Sequence, residues 1–169
     1  SDSPPEKDVQ WSEQGMIASY KFIQKFWLLH KKIKERIYKS HNDINKNDNL
    51  DLEKYTNQLI DKINKNLDKF NYNVIIANIY ETYNYLIKVV ERKVSKDVLF
   101  ENYKKILTIM SPIFPHLIFE CLQSLELEVF QKWPKIEKKF LESDFVELVV
   151  QINGKKRGII KAKKDIDEK

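Results

Sequence analysis

The stretch from Phe22 to Ile37 reads FIQKFWLLHKKIKERI and decides the fold class. Its apolar residues recur at steps of three and four, which puts them on one face of a helix. These residues are Phe22, Phe26, Leu29, Ile33 and Ile37. Lysine and glutamate occupy the other faces, and Ser12 is a suitable N-cap. We therefore expect an amphipathic helix over about 12–39.

Similar apolar patterns continue downstream and predict helices over about 52–70, 73–92, 95–110 and 115–125. The second helix is expected to bury Leu52, Tyr55, Leu59, Ile63, Leu67 and Phe70, and the third Tyr72, Ile76, Ile79, Tyr83, Leu86 and Val90. Ser95 is a second N-cap candidate, Pro112 ends or kinks the fourth helix, and Pro115 suits a first helical position. The polar residues 41–49 indicate a surface loop. Four or five helices with short connections predict an antiparallel bundle.

Composition limits the remaining possibilities. The 169 residues are 42% hydrophobic, which excludes a disordered polar tail, and contain only three glycines and five prolines. Cys121 is the single cysteine, so no internal disulfide can form and a reducing compartment is expected. No apolar run approaches the roughly 20 residues that cross a bilayer. Because the sequence begins with Ser1, we expect a piece of a longer protein.

The pattern changes after Trp133-Pro134. Residues 145–152 (FVELVVQI) are rich in β-branched and aromatic residues, and 156–162 form a second strand-like run. Asn153-Gly154 between them favours a type I′ hairpin turn. An isolated hairpin is only marginally stable in water. We therefore predict three parts: an extended segment over 1–11, a helical bundle over 12–141, and a β-hairpin over 142–169 that begins an incomplete C-terminal α/β domain.

No motif for catalysis is found. The sequence at 154–158 is basic but lacks the spacing of a phosphate-binding loop, and the three histidines are too far apart to suggest a metal site. Cys121 lies on an apolar helix face and is expected to be a buried, inert thiol. The net charge of +5 is weak support for a nucleic-acid partner, because 27 of the 30 basic residues are lysines, as an AT-rich genome would encode. We expect a non-catalytic chain without cofactor or metal.

Three groups of motifs, in order, carry a resemblance to one family. The first comprises SPPE at 3–6, WSEQG at 11–15 and FIQKFW at 22–27; the second comprises YN at 72–73, Ala77 and SPIFPHL at 111–117; the third comprises WP at 133–134 and VQINGKKR at 150–157. Together they resemble the C-terminal part of bacterial-type leucyl-tRNA synthetases. The family often has Trp where Leu122 stands and Gly shortly after Leu125, and this chain departs from it at both points.

The resemblance implies a fold and a function. It implies the anticodon-binding-type helical bundle of class Ia aminoacyl-tRNA synthetases, followed by the start of the C-terminal tRNA-binding domain. The parent enzyme would join leucine to tRNA(Leu) with ATP and Mg²⁺ in the cytoplasm. The partners implied are tRNA(Leu) and the catalytic and editing domains of the same protein, with no membrane and no DNA. The catalytic signatures His-Ile-Gly-His and Lys-Met-Ser-Lys-Ser are missing from this sequence.

The predicted hairpin is the best site candidate. Lys155, Arg157 and Lys161 alternate along the second strand and would project from one face, with Lys156 between them. Such a row suits phosphate and sugar contacts with RNA. A simple two-residue turn would place these charges on the same face as apolar residues of the first strand. Either a bulge shifts the register, or the long basic side chains cover that apolar surface.

Several alternatives remain at this point. Trp11 and Trp27 could stack on bases, but a place at the end or in the core of the bundle is commoner. His116 is expected to orient the chain near a helix start. Lysines of the first helix (Lys31, Lys32, Lys34 and Lys39) are either solvated or bound to phosphate. Rival functions are the equivalent bundle of an isoleucyl, valyl or methionyl enzyme, a helical protein-interaction module, and a DNA-binding helical protein.

Overall fold

A computed structural model describes residues 12–39 and 44–141 with their side chains, and the backbone of two strands. The chain is mainly helical, with five helices: α1 (Glu13–Tyr38), α2 (Lys46–Leu67), α3 (Tyr72–Val90), α4 (Lys96–Met110) and α5 (Pro115–Ser124). A short 3-10 helix follows at Lys138–Phe140, and then β1 (Phe145–Ile152) and β2 (Lys155–Lys163). The extended segment predicted over 1–11 lies outside the described residues. No helix among the described residues combines the length and apolarity that a membrane crossing requires.

Helix α1 has the predicted buried face. All five residues of its apolar stripe are buried, and the most exposed of them, Ile37, has 8% of its surface accessible. Ser12 begins the helix as predicted, because its hydroxyl oxygen accepts a 3.1 Å hydrogen bond from the Gly15 backbone N–H. One N–H of the first turn is thus satisfied.

Helix α4 forms the centre of the bundle. It contacts α1, α2 and α5, and eight of its 15 residues are buried. The predicted N-cap is confirmed, since the Ser95 hydroxyl oxygen accepts from the Val98 N–H at 3.4 Å. The last residue of the helix is Met110, and α5 begins at Pro115, as predicted. Pro115 suits this position because its ring fixes a helical φ. The N–H that proline lacks would have no partner within the helix at its first residue.

The predicted loop over 41–49 is wrong in its second half. Helix α2 begins at Lys46, six residues before the predicted start at Leu52, and Asn45 caps it. The polar side chains of this first turn bind the connection between α3 and α4. Asp48 accepts a hydrogen bond from the Lys93 N–H at 3.1 Å, and Asn49 accepts one from the Ser95 N–H at 2.8 Å. The first turn of α2 is polar because its side chains form tertiary hydrogen bonds. Residues 40–43 of the predicted loop lie outside the described part of the chain.

The predicted buried face of α3 is rotated by about one residue. Ile79 and Leu86 are buried as predicted, but the rest of the buried face consists of Ile75, Asn78, Thr82 and Val89. Thr82 is satisfied internally, since its hydroxyl donates to the Asn78 backbone oxygen at 2.7 Å and accepts from the Tyr55 hydroxyl at 3.1 Å. The spacing of apolar residues alone does not predict buried polar residues such as Asn78 and Thr82.

The end of α2 also differs from prediction, because Phe70 is 62% exposed. The Phe70 N–H donates to Leu67 O at 3.0 Å, and the Asn71 N–H donates to Asn66 O at 2.9 Å. These two hydrogen bonds form a Schellman motif with Phe70 in the left-handed region at φ 55°. The chain turns sharply here, so the ring of Phe70 leaves the buried face of α2, whose last buried residue is Ile63.

The two strands pair antiparallel. Ile152 stands opposite Lys155 and Gln151 opposite Lys156, but Val150 stands opposite Gly158, so Arg157 lies at a register shift. The turn residues Asn153 and Gly154 lie outside the described residues, so the type I′ turn stays a prediction. By its contacts the chain divides into two compact units, Ser1–Ile136 and Glu137–Lys169. The predicted domain boundary, after residue 141, falls a few residues later and stays a prediction.

We predict that the helical bundle folds without the strands. The buried core formed by α1 to α5 lies within the first compact unit, so its apolar side chains are covered by one another. A chain ending at Leu141 should keep a single cooperative thermal transition, measured by circular dichroism at 222 nm. Loss of cooperative melting on this truncation would show that residues 142–169 are required for the core.

Candidate functional site

The four predicted site residues all belong to β2. Lys155 and Lys156 lie opposite the end of β1, Arg157 lies at the register shift, and Lys161 stands opposite Glu147. The simple turn considered from the sequence would have paired Lys161 with Val146, but Ala162 holds that place. Of the two explanations offered for the register conflict, the structure has the bulge. The side chains of these residues lie outside the described part, and their role as a site stays a prediction.

The lysines of α1 do not form one cluster. Lys39 pairs with Glu35, and the Lys34 ammonium lies 5.9 Å from the centre of the Tyr38 ring. Lys31 and Lys32 are exposed and flank a groove of about 490 Å³ between α1 and α3. Leu28 and Ile87 contribute apolar surface to the same groove. Glu91 lines it as well, so the groove is partly charged, with both signs, and partly apolar.

Two of the three arginines serve the fold. Arg36 donates to the backbone oxygens of Arg92 and Val94, at 3.0 and 3.4 Å. Arg92 forms an ion pair with Asp51, whose carboxylate also accepts a hydrogen bond from the Tyr85 hydroxyl. Both arginines therefore hold helices together, and Arg157 is the only arginine outside the bundle.

Trp27 takes the structural role that the sequence analysis favoured. Its ring is partly buried against the core and stacks on the imidazole of His30, with 5.1 Å between ring centres. Trp11 lies outside the described residues. His116 is exposed near the start of α5. Cys121 is fully buried, and burial raises the pKa of its thiol to about 12, so the thiolate needed for nucleophilic chemistry does not form near neutral pH.

His30 joins three helices through a chain of hydrogen bonds that the sequence analysis missed. Its Nδ1 lies 2.9 Å from the Tyr103 hydroxyl on α4, and its Nε2 lies 2.6 Å from the Ser124 hydroxyl on α5. Ser124 donates its proton to Cys121 O, so it accepts from His30 Nε2–H. Nδ1 therefore accepts from Tyr103. The signal was available, since His30 stands four residues after Phe26 and three before Ile33 on the buried stripe.

Burial keeps His30 neutral. It lowers the pKa of His30, together with a smaller contribution from the nearby Lys34 ammonium, from the ordinary value of 6.5 to about 4. A proton on Nδ1 would turn the acceptor of the Tyr103 hydroxyl into a second donor. Burial also raises the pKa of Tyr103, so the phenol stays protonated. The neutral His30, hydrogen-bonded to Tyr103 and Ser124, therefore has a structural role: it holds α1, α4 and α5 together. We call these three residues the His30 junction.

The described residues contain no cluster of histidine, cysteine, aspartate or glutamate side chains that could hold a metal ion. The described surface carries lysines on α1 and around the α2–α3 turn, with acidic residues such as Glu35 and Asp68 among them, and exposed aromatic side chains. Such a surface can bind a partner by charge and by stacking.

Comparison with known proteins identifies the class of this chain. A family model described as "Anticodon-binding domain of tRNA ligase" matches residues 49–169. The match covers well over half of the chain, which therefore belongs to the family of anticodon-binding domains of tRNA ligases.

Its curated relatives are leucine–tRNA ligases. The enzyme of Nitrobacter hamburgensis is 35% identical over 173 residues, which cover 94% of this chain and 20% of the relative. The enzyme of Fervidobacterium nodosum is 33% identical over 176 residues, with 98% and 21% covered. The chain thus spans about a fifth of the length of the curated relatives that it matches. These relatives favour the leucyl resemblance over the isoleucyl, valyl and methionyl alternatives.

A solved structure has the same fold. It is a ternary complex of the Agrobacterium radiobacter K84 agnB2 LeuRS with tRNA and LeuAMS, and it matches with a TM-score of 0.73. The alignment covers 95% of this chain and 21% of the other, at 22% identity. At that identity the likeness bears on the fold, and it agrees with the helical architecture described above.

We predict that the His30 junction makes the stability of the bundle depend on pH. Between pH 6.5 and about 4 the unfolded chain binds a proton that the folded chain excludes, so stability falls as pH falls through this range. The loss should be on the order of 2–3 kcal/mol, at ~1.4 kcal/mol per pKa unit. Urea unfolding of the wild type and of His30→Gln at several pH values measures it.

The variant His30→Gln should lose this part of the pH dependence, because glutamine does not titrate. His116→Gln is the matched control: His116 is exposed, and its replacement should leave the pH profile unchanged. Equal profiles for the wild type and His30→Gln would contradict the assignment of a neutral buried imidazole.

Proposed function

We propose that this chain is the tRNA-binding C-terminal part of a leucine–tRNA ligase, and that it performs no catalysis itself. The observation that carries the proposal is the coincidence of the anticodon-binding-domain match with leucine–tRNA ligases that align along almost the whole chain. The partner proposed is tRNA(Leu), which the protein would hold while distant domains carry out the chemistry. The tRNA in the complex of the solved neighbour supports this choice of partner.

The proposed tRNA contact of the second compact unit is the basic strand β2. This strand follows the helical bundle in the sequence. Its basic residues would bind phosphates of the RNA: Lys155, Lys156, Arg157 and Lys161. The bulge at Arg157 supports the proposal, because the register places Lys161 opposite Glu147 instead of an apolar residue. Phosphate contacts of this kind position an RNA without reading its sequence.

The remaining functions belong to the parent enzyme. We propose that ATP and Mg²⁺ bind in its catalytic domain, that mischarged product is hydrolysed in an editing domain, and that the enzyme works in the cytoplasm. β1 and β2 would begin its C-terminal α/β domain as a hairpin. A helical protein-interaction module is the second candidate, and the family match counts against it.

We predict that the purified chain does not activate leucine. The sequence holds neither catalytic signature of class I synthetases. Leucine-dependent exchange of pyrophosphate into ATP should stay at background. A signal that persists after removal of contaminating host synthetase would contradict the proposal.

We predict that β2 contributes about three phosphate contacts to tRNA binding. Replacing Lys155, Arg157 and Lys161 together by Gln should weaken binding and flatten the slope of log affinity against log salt by about 2–3, at roughly 0.7–0.9 per contact. The effect should be similar for different tRNAs, since the contacts are with the backbone. Filter binding or fluorescence anisotropy with labelled tRNA over a range of KCl concentrations measures it.

The matched control removes the same number of charges from the segment between α5 and β1. Replacing Lys135, Lys138 and Lys139 by Gln should affect the salt slope less. Equal losses in the two triple variants would mean that the basic residues act as general surface charge. If neither triple replacement changes tRNA affinity, even in the full-length enzyme, β2 is not a tRNA site.

A further inference from the structure

Phe70 adopts a backbone conformation that phenylalanine rarely tolerates. Its φ is 55°, and Glu126, at φ 60°, is the one other described non-glycine residue with positive φ. Both close a Schellman motif, and this position usually holds glycine because a Cβ is unfavourable there. For a bulky side chain the conformation carries strain. The turn between α2 and α3 would therefore be more stable with glycine.

Packing of the ring does not offset this strain. The Phe70 side chain is 62% exposed, and its ring lies edge to face against that of Tyr72, with 6.1 Å between ring centres. Tyr72 is itself 37% exposed. The turn thus holds two aromatic rings at the protein surface, where the bundle gains little from burying them.

Lysines and a third aromatic ring lie near the two rings. Lys69 is exposed beside Phe70 and follows the exposed Asp68, and Lys65 is exposed one turn earlier in α2, where it pairs with Asp61. The indole N–H of Trp133 donates to Asn64 at 2.9 Å, which brings a third, 41% exposed aromatic ring to the last turns of the same helix. Exposed aromatic faces beside lysines are the combination that binds single-stranded nucleic acid.

We propose that the ring of Phe70, held edge to face against Tyr72, is a stacking surface for an unpaired nucleobase, and we call these two residues the turn platform. This inference rests on the proposed function and adds to it a contact of a different kind from the phosphate contacts of β2. Every base offers a flat face, so the turn platform would accept an unstacked loop base of the tRNA whatever its identity. Lys69 would bind the adjoining phosphate. The strain at Phe70 is then retained because the ring is needed at the surface.

The test uses the full chain and two probes. One is a single-stranded RNA of about 12 nucleotides with 2-aminopurine at its centre, and the other is the blunt duplex of the same sequence. Stacking on the turn platform should quench the 2-aminopurine fluorescence. Phe70→Ala should weaken single-strand binding about 5- to 150-fold, which is the range for loss of one stacked base, and leave duplex binding unchanged. Phe70→Trp should keep the wild-type affinity.

Phe70→Gly separates binding from stability. It relieves the backbone, so the melting temperature should rise, while single-strand affinity falls as far as in Phe70→Ala. Phe130→Ala is the matched control, because Phe130 is an 82% exposed phenylalanine that also lies edge to face against another ring, that of Phe119. Its replacement should leave binding of both probes unchanged.

The outcomes distinguish the turn platform from the proposed function. If the chain binds tRNA but Phe70→Ala binds both probes like the wild type, the turn platform is overturned and the proposed function stands. Equal losses for both probes, or equal losses in Phe70→Ala and Phe130→Ala, also overturn it. If the wild-type chain binds neither tRNA nor the two probes, both proposals fail.

Discussion

Burial of α4 on three sides is the constraint on which the rest of the bundle depends. Ile106 and Leu107 are consecutive residues with no accessible surface, and neighbours on a helix point about 100° apart. No single packing partner could cover both, so α1, α2 and α5 all contact this helix. Polar groups on it then need partners inside the protein. The hydroxyl of Tyr103 donates a hydrogen bond to His30, which explains why an imidazole occupies the otherwise apolar stripe of α1.

The connection between α3 and α4 sets how α4 enters this environment. Arg36 of α1 binds backbone oxygens at 92 and 94, while Asp48 and Asn49 of α2 bind the N–H groups at 93 and 95. A short connection is thereby held from two sides through its main chain. Backbone hydrogen bonding of this kind does not depend on the residue types in the connection, and it leaves Ser95 free to cap α4 with its side chain.

The parts of this fold that follow from the sequence are those in which burial and apolar character coincide. The stripe of α1, the caps Ser12 and Ser95, and Pro115 at the start of α5 depend on local rules and were predictable. Where polar groups are buried, the spacing of apolar residues is not enough. It predicted the wrong buried face around Thr82 and gave no prediction for His30. The spacing of the basic residues of β2 predicts a site there, and that role stays a prediction; the bulge at Arg157 depends on strand pairing that no local pattern specifies. The exposure of Phe70 depends on the Schellman motif at the end of α2. This motif usually has glycine at the position of Phe70, so the sequence did not predict it.

The distribution of charge carries more information about binding than its total. Lysines of the helices are partly matched by acids one turn away, as in Lys39 with Glu35, Lys65 with Asp61 and Lys104 with Glu101. Pairs at this spacing stabilise a helix by only about 0.2–0.5 kcal/mol, but the acidic partner offsets the charge that a polyanion would meet. Strand β2 has five basic residues among nine and no acidic one. A phosphate backbone would therefore be attracted more strongly per residue to β2 than to most of the bundle, and a contact elsewhere needs a second source of affinity. On the turn between α2 and α3, exposed aromatic faces supply one.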